Sequence, residues 1–289
     1  MPNFRKMISV LSFPKTVFLL LFFSLNKLTY AQPTLTNTIG IELVRIEPGI
    51  VIIGKFEPPY PVPEDTVKDP SSGRIMWMGD GRSYSNEEFR RAKEMATKDF
   101  SAGFEVRIEQ PFYIGKFEVT QGQWKKIMGK NPSVFQHENS ENLPVENITW
   151  DQAKKFIAAL NKREHHKRYR LPTEFEWEYA ARAGARGDIP WKDIQASAHL
   201  GTKTTQPVGG KQPNGWGLYD MLGNVWEWVE DRYNEKIFAD PLPPKKGNQH
   251  VLKGASIAGD VKNATYMTHA AGPGNGWDVG FRIVMEVEK

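Results

Sequence analysis

The chain has 289 residues, 25% of them charged, with 38 Lys and Arg against 34 Asp and Glu and no cysteine. The positive excess equals the four basic residues of the first 32, Arg5, Lys6, Lys15 and Lys27, where no acid occurs. The remainder is electrically balanced, which excludes the basic footprint of a nucleic-acid-binding protein, and the missing thiol excludes disulfides, thiolate metal ligands and sulfur nucleophiles.

Arg5, Lys6 and Lys15 precede the apolar run "VFLLLFFSL" (17–25), and "LTYAQ" sets small Thr29 and Ala31 at the −3 and −1 positions of a cut after Ala31. The run is too short to span a bilayer, so residues 1–31 are expected to be a secretory signal peptide. Its removal would leave no transmembrane segment and an exported protein of the periplasm, cell envelope or medium. A retained anchor is the alternative. Next, "IGIELVRIEPGIVIIGKF" (39–56) reads as two short strands around a Glu47-Pro48-Gly49 turn, with Val44, Ile46, Val51 and Ile53 on the apolar face. The texture changes over 57–104, with Pro-rich "EPPYPVPED", then "DPSSGR". Ser85 and Glu88 then form a capping box ahead of Phe89, Ala92, Ala96 and Phe100 at helical spacing. This stretch reads as an insertion with its own helix, within a domain covering 39–287.

The same start signal recurs three times: Thr120 with Gln123, Thr149 with Gln152, and Thr173 with Glu176. Each opens an amphipathic run. The apolar sets are Trp124, Ile127 and Met128; Ala153, Phe156, Ile157 and Leu160; and Trp177, Tyr179 and Ala180, with Gly129 and Gly184 as stops. Beyond Gly184 no helix is expected, and the strand candidates are 225–231, 250–253 and 280–287. Roughly half the chain would then be irregular, above the usual share of about 40%. Such a domain depends on tryptophan packing, side-chain hydrogen bonds and often a bound ion.

Five segments in order carry a family resemblance: "GKFEVTQGQWKKIMGKNPSVF" (115–135), "LPVENITWDQAKKFIAALN" (143–161), "YRLPTEFEWEYAARAG" (169–184), "NGWGLYDMLGNVWEWVEDRY" (214–233) and "GFRIV" (280–284). Together with "IELVRIEPGIVIIGKF" they resemble the formylglycine-generating-enzyme domain of the sulfatase-modifying-factor family. The resemblance runs from about Ile39 to Val284, and it implies an α+β, C-type-lectin-like fold with short helices, small antiparallel sheets and much irregular structure. The oxidases of that family bind copper through two cysteines that follow a "GGS" turn. Here Gly254, Ala255 and Ser256 fill the turn, while Gly259 and Ala264 stand where the cysteines would be. Copper is therefore not expected, and this is not a cysteine-dependent formylglycine-generating oxidase. The arginines usual in that stretch are also replaced, by Thr265, Tyr266, Thr268 and His269.

The resemblance implies a calcium ion in "GLYDMLGNVWEW", held by the Asp220 and Glu227 side chains and the Gly223 and Val225 carbonyls. Calcium takes six to eight hard oxygens, and Gly223 permits a tight turn. In an extended strand Val225, Glu227 and Val229 share one face, and Trp226 and Trp228 the other. On the bare residues, Asp220 as a turn former and Glu227 as an exposed strand carboxylate is the competing account. A second calcium site of the family is expected to be lost, because "SAHLGTKTTQPVGG" holds no carboxylate and His199 stands near the expected asparagine.

The six histidines form no His-x-Glu/Asp or HExxH unit, and His165-His166 reads as a cationic helix end. Trp226 and Ser256 match groove-lining positions of the family, with Tyr266 and His269 as further candidates, and no base is visible for Ser256. His269 reads equally as a hydrogen-bonding surface or core residue. The nine tryptophans suit core packing first and carbohydrate stacking second. Two functions stand side by side. One is a calcium-stabilised binding or structural module holding a peptide, protein or glycan in the groove. The other is an oxidoreductase of the same fold that works without cysteine, with iron, copper or no metal, and modifies a secreted peptide or small molecule. Several histidines or carboxylates converging on the groove floor would mark the second; a floor of Gly, Ala and Trp would mark the first.

Overall fold

The structure is a computed structural model describing residues 32–55, 66–68, 70–77, 83–87, 90, 102–185, 191–238, 244, 246–259, 264–272 and 274–287. The expected signal peptide lies outside the described residues, as does most of the helix expected over 85–100. Ala31–Lys289 form one compact unit. No helix among the described residues is long and apolar enough to cross a membrane.

Eight strands lead off: β1 (Thr34–Thr36), β2 (Glu42–Ile46), β3 (Gly49–Ile53), β4 (Thr66–Lys68), β5 (Ile75–Trp77), β6 (Ser83–Tyr84), β7 (Phe104–Ile108) and β8 (Phe112–Gly115). The helices α1 (Gln121–Met128), α2 (Trp150–Arg163), α3 (Glu174–Arg182) and α4 (Trp191–Ser197) follow, with β9 (Tyr169–Arg170) between α2 and α3. The chain closes with β10 (Trp226–Arg232), β11 (His250–Lys253), β12 (His269–Ala271), β13 (Val279–Gly280) and β14 (Val284–Glu286). The result is the expected α+β domain of short helices and small sheets.

Two sheets organise the molecule. One runs β1-β2-β8-β14-β9 with every pairing antiparallel; the other runs β12-β11-β10-β13 with only β10 and β13 parallel. Because side chains alternate across a strand, neighbours in both sheets enter different cores. Val44, Val229, Val251 and Val284 pack with Trp177, Ala180 and Ala181 of α3 in one core. Leu43, Trp228, Leu252 and Met285 pack with Trp124 of α1 and Phe156 and Leu160 of α2 in the other. There Trp124 stacks on Phe156 with centroids 5.3 Å apart, and Phe281 meets both edge-on.

Each of the three longer helices starts at its expected Thr, with both halves of the capping box formed: Thr120 with Gln123, Thr149 with Gln152 and Thr173 with Glu176. Other elements differ from expectation. β2 and β3 do flank Glu47 and Pro48, but they form no hairpin, since β2 joins the five-stranded sheet while β3 pairs with β7. Pro48 offers no N–H to close a turn ladder, so the chain crosses between sheets instead. Helix α4 lies in the stretch expected to be helix-free. Among its described side chains Ile194 enters the core, too little apolar periodicity to read locally. The described part of the 57–104 insertion holds helical residues Asn86, Glu87 and Arg90, where a helix is expected, and also a three-stranded sheet, β4-β5-β6, whose strands of two or three residues are too short to show alternation.

Trp228 anchors the second core, its indole N–H donating to the Ile148 carbonyl at 3.0 Å. Its six-membered ring lies over Gly272, where a Cβ would come within 1.9 Å of Cη2. Gly272→Ala is therefore expected to destabilise the fold by about 1–3 kcal/mol in urea denaturation, and Trp228→Phe in the same chain to relieve part of that loss.

Candidate functional site

The residues of "GLYDMLGNVWEW" fold into a turn feeding β10, and four left-handed positions shape it: Gly217 (φ 80°), Asp220 (φ 53°), Gly223 (φ 81°) and Asn224 (φ 57°). Gly223 lies against the backbone of His199, where a Cβ would sit 2.5 Å from the His199 carbonyl oxygen. Glu227 is buried. Its carboxylate accepts from Arg282 Nε at 2.7 and 2.9 Å, from Arg282 Nη2 at 2.7 Å and from Trp177 Nε1 at 2.8 Å. The account of Glu227 as an exposed strand carboxylate is thereby overturned. Arg282 also donates to the carbonyls of Gly115, Tyr219 and Asp220.

Asp220 Oδ2 accepts from the Gly209 N–H at 2.6 Å, whereas Oδ1 is buried without a donor, 4.0 Å from His199 Nε2. Glu118, more than a hundred residues earlier, joins the same cluster. Its Oε1 accepts from Asn224 Nδ2 at 3.0 Å, and its Oε2 is buried without a partner. Burial pushes Glu118 well above the usual carboxylate range, with Asp220 and Glu227 adding to the rise and Arg282 opposing it. Burial likewise pushes Asp220 up to about 6, against the Gly209 N–H and Arg282. Three buried carboxylates thus face one guanidinium, with two carboxylate oxygens lacking any donor. That is an oxygen-rich, cation-deficient environment, which a hard cation such as calcium fits. Among the described residues no three His, Asp or Glu side chains converge as a complete ligand set, so an ion here would draw on backbone carbonyls as well. Glu118 gave no sequence signal, since "KFEVTQ" reads as an ordinary strand end.

A cleft of about 640 Å³ is lined in part by Trp226, the neighbour of Glu227 on β10. Trp226, Phe238, Met267, Ala255, Ala258 and Gly259 supply its apolar lining, and Ser256, Thr265, Thr268, His269 and Glu235 its polar lining. Of the four groove candidates, Trp226, Ser256 and His269 meet here. Tyr266 does not line the cleft; it is 6% exposed, with its ring 5.2 Å from the Arg182 guanidinium. Ser256 Oγ donates to Asp278 Oδ2 at 2.6 Å and accepts from the Ala258 N–H at 3.2 Å. Asp278 is thus a carboxylate partner for Ser256 that the sequence did not reveal, lying 22 residues downstream. Gly259 lines the cleft and Ala264 is packed in the core, so the two positions expected for cysteines serve different surroundings.

Behind the cleft lies a buried ion network. Lys253 Nζ sits 3.2 Å from Glu178 and 3.8 Å from Glu174, and Glu178 also accepts from Arg182 Nε at 2.9 Å. His269, flanked by the rings of Tyr233 and Phe238, brings Nδ1 to 3.2 Å from Glu174 Oε1. At the start of α3 the Glu174 N–H donates to Asp231 Oδ2 at 2.6 Å. Burial pushes Asp231 up to about 6, with Glu174, Glu176 and Glu230 adding to the rise and that N–H opposing it.

Residues 65–287 match the sulfatase-modifying factor enzyme 1-like domain. The chaperone protein LppX of Paenibacillus barcinonensis is 30% identical over 235 residues, covering 60% of this chain and 79% of that relative. The formylglycine-generating enzyme of Mus musculus is 30% identical over 162 residues, which cover 48% of this chain and only 41% of that enzyme. Among solved structures, PvdO from Pseudomonas aeruginosa superposes with a TM-score of 0.65 at 22% identity, covering 89% of this chain and 99% of that one.

The raised Asp231 has a signed consequence. The folded state holds its proton more tightly than the unfolded chain, whose aspartates titrate near 3.9, so this contribution is complete below about pH 4 and lost as pH rises through about 6. Asp231→Asn keeps an acceptor for the Glu174 N–H and removes the titration. Urea denaturation at pH 4 and 7 is expected to show a smaller pH-linked loss of stability in the variant, by on the order of 2 kcal/mol.

Proposed function

The chain belongs to the sulfatase-modifying factor enzyme 1-like family, and on that premise we propose that it is an exported, calcium-stabilised binding module whose cleft takes an apolar polypeptide segment. The observation that carries this reading is the cleft lining. Small and apolar side chains dominate it, one histidine and one unpaired-in-sequence carboxylate, Glu235, are its titratable groups among the described residues, and the chain has no thiol. An oxidoreductase built on iron or copper needs several converging nitrogen, sulfur or oxygen donors, and this lining offers few. A polypeptide ligand suits the site. Trp226, Phe238 and Met267 provide apolar contact, while Ser256, Thr265 and Thr268 provide hydroxyls for a backbone. His269 begins β12, the edge strand of its sheet, a position from which an extended segment can be paired. A relative named a chaperone protein is in keeping with this reading.

While Glu227 stays with Arg282 and Trp177, calcium would be held by the carboxylates of Glu118 and Asp220 with the carbonyls of Gly223 and Val225. Its contribution is charge: it would offset the buried negative excess that Arg282 alone leaves, and so stabilise the turn that feeds β10. Glu118 and Asp220 would then be the more affected carboxylates, because Glu227 already has Arg282.

Elemental analysis of protein purified without added metal or chelator is expected to give about one calcium per chain and neither iron nor copper. A chelator should lower the melting temperature, calcium at about a hundred times its Kd should restore about 2.7 kcal/mol, and Glu118→Gln should weaken that response. Stoichiometric iron or copper would instead establish the oxidoreductase reading. For the cleft, Ala258→Trp is expected to fill the site and abolish binding of an apolar peptide library in fluorescence anisotropy without a change in calcium content, and Trp226→Ala to weaken it roughly tenfold.

A further inference from the structure

The surface around Trp277 is built unlike the rest. Among the described residues the exposed large apolar side chains are Ile50, Val134 and Trp277, at 49%, 56% and 45% exposure. Two of these three fall in one place. Phe135, next to Val134, meets Trp277 with ring centroids 5.8 Å apart at an interplanar angle of 89°.

The interior is arranged to hold them outward. Glu146 is completely buried, and its carboxylate accepts from the backbone N–H groups of Val134 and Phe135, each at 2.9 Å. The Glu146 N–H donates to Ser133 Oγ at 3.2 Å, and Gln121 Nε2 donates to the Phe135 carbonyl at 2.9 Å. Asn147 ties this loop to the one bearing Trp277. Its N–H donates to the Gly276 carbonyl, its Nδ2 to the Pro132 carbonyl, and its Oδ1 accepts from Asn275 Nδ2 at 2.7 Å. A buried carboxylate carries a desolvation cost of several kcal/mol, and here it is spent fixing two loops that expose aromatic and aliphatic side chains to water. A rigid exposed apolar platform of this kind marks a binding surface.

The chemistry of the platform names its ligand. Val134, Phe135, Trp277, Asn147 and Asn275 carry no formal charge, so the platform supplies no ion pair to an acidic or basic partner. An indole presents a flat apolar surface of the kind that packs on the C–H face of a sugar ring, and paired amides supply both donors and acceptors for hydroxyl groups. Asn275 commits one amide hydrogen to Asn147, and its own carbonyl oxygen takes no hydrogen bond among the described residues. We propose that Val134, Phe135 and Trp277, with the amides of Asn147 and Asn275, form a binding site for a neutral oligosaccharide. The site is separate from the polypeptide cleft, whose described lining includes none of these residues.

The test uses the full chain and two probes, soluble hexasaccharides of β-linked glucose and of β-linked N-acetylglucosamine, followed by isothermal titration and tryptophan fluorescence. At least one probe should bind and perturb the emission. Trp277→Ala should weaken binding at least about tenfold, Trp277→Phe less, and Asn275→Ala several-fold, while Trp226→Ala leaves it unchanged. Because Trp277 is an exposed side chain, an unaltered melting temperature in Trp277→Ala certifies the fold. Three results would overturn the proposal: neither probe binds, binding survives Trp277→Ala, or binding is lost in Trp226→Ala, which would put the sugar in the cleft. A change of oligomeric state in Trp277→Ala would overturn it too, by making the platform a contact between copies of the chain.

Discussion

The C-terminal half of the domain is arranged around one buried ion pair, Glu227 with Arg282. The guanidinium contacts both oxygens of the carboxylate and also the carbonyls of Gly115, Tyr219 and Asp220, so it joins the end of β8, the turn and β10 at a single point. Trp177 of α3 closes the far side of the same carboxylate. A pair of this kind contributes little net stability over an apolar substitute of the same volume, because both ions must leave water. Its geometry is nonetheless demanding. Nε and Nη2 grip Glu227, Nη1 reaches Gly115 and Nη2 also reaches Tyr219 and Asp220, so one side chain between β13 and β14 bonds three separate stretches of the chain.

The same pair explains why the candidate ion site has the character it does. Arg282 satisfies Glu227 and leaves Asp220 and Glu118 with one donorless oxygen each, inside a region that also holds His199 Nε2, buried without a hydrogen-bond partner. The 197–210 segment, expected to have lost a second calcium site, packs over this cluster. Its Gly209 N–H reaches Asp220, and its His199 carbonyl takes the Asn224 N–H. The segment serves as a cover for the turn.

What could be read from the chain was local. A capping box lies within four residues, and all three of Thr120, Thr149 and Thr173 start their helices as their spacing indicates. The strand at 250–253 was likewise legible, because His-Val-Leu-Lys sits between turn-rich segments. Sheet membership was not, because partners such as β2 and β8 lie some seventy residues apart and no local pattern encodes the pairing. The candidate site divides the same way. Asp220, Gly223 and Glu227 fall within one motif, whereas Glu118 and Asp278 reach their places through folding alone. Tyr266 was misplaced by sequence proximity to His269. Three residues before β12 the chain still faces the core, and there the ring meets Arg182.

The alternation that sends neighbouring residues of β10 and β11 into opposite cores divides labour within the domain. Ala255, Ala264 and Tyr266, from the segments that build the cleft, belong with Trp177 and Val229 on one side of the sheet. Trp124, Phe156, Trp228 and Leu252 lie on the other, with α1 and α2. The cleft wall and the core of α1 and α2 therefore rest on different sets of contacts, joined at Trp226, which packs against both. A fold partitioned by its own sheet in this way separates the residues that are free to diverge from those that guarantee there is a folded protein to carry them.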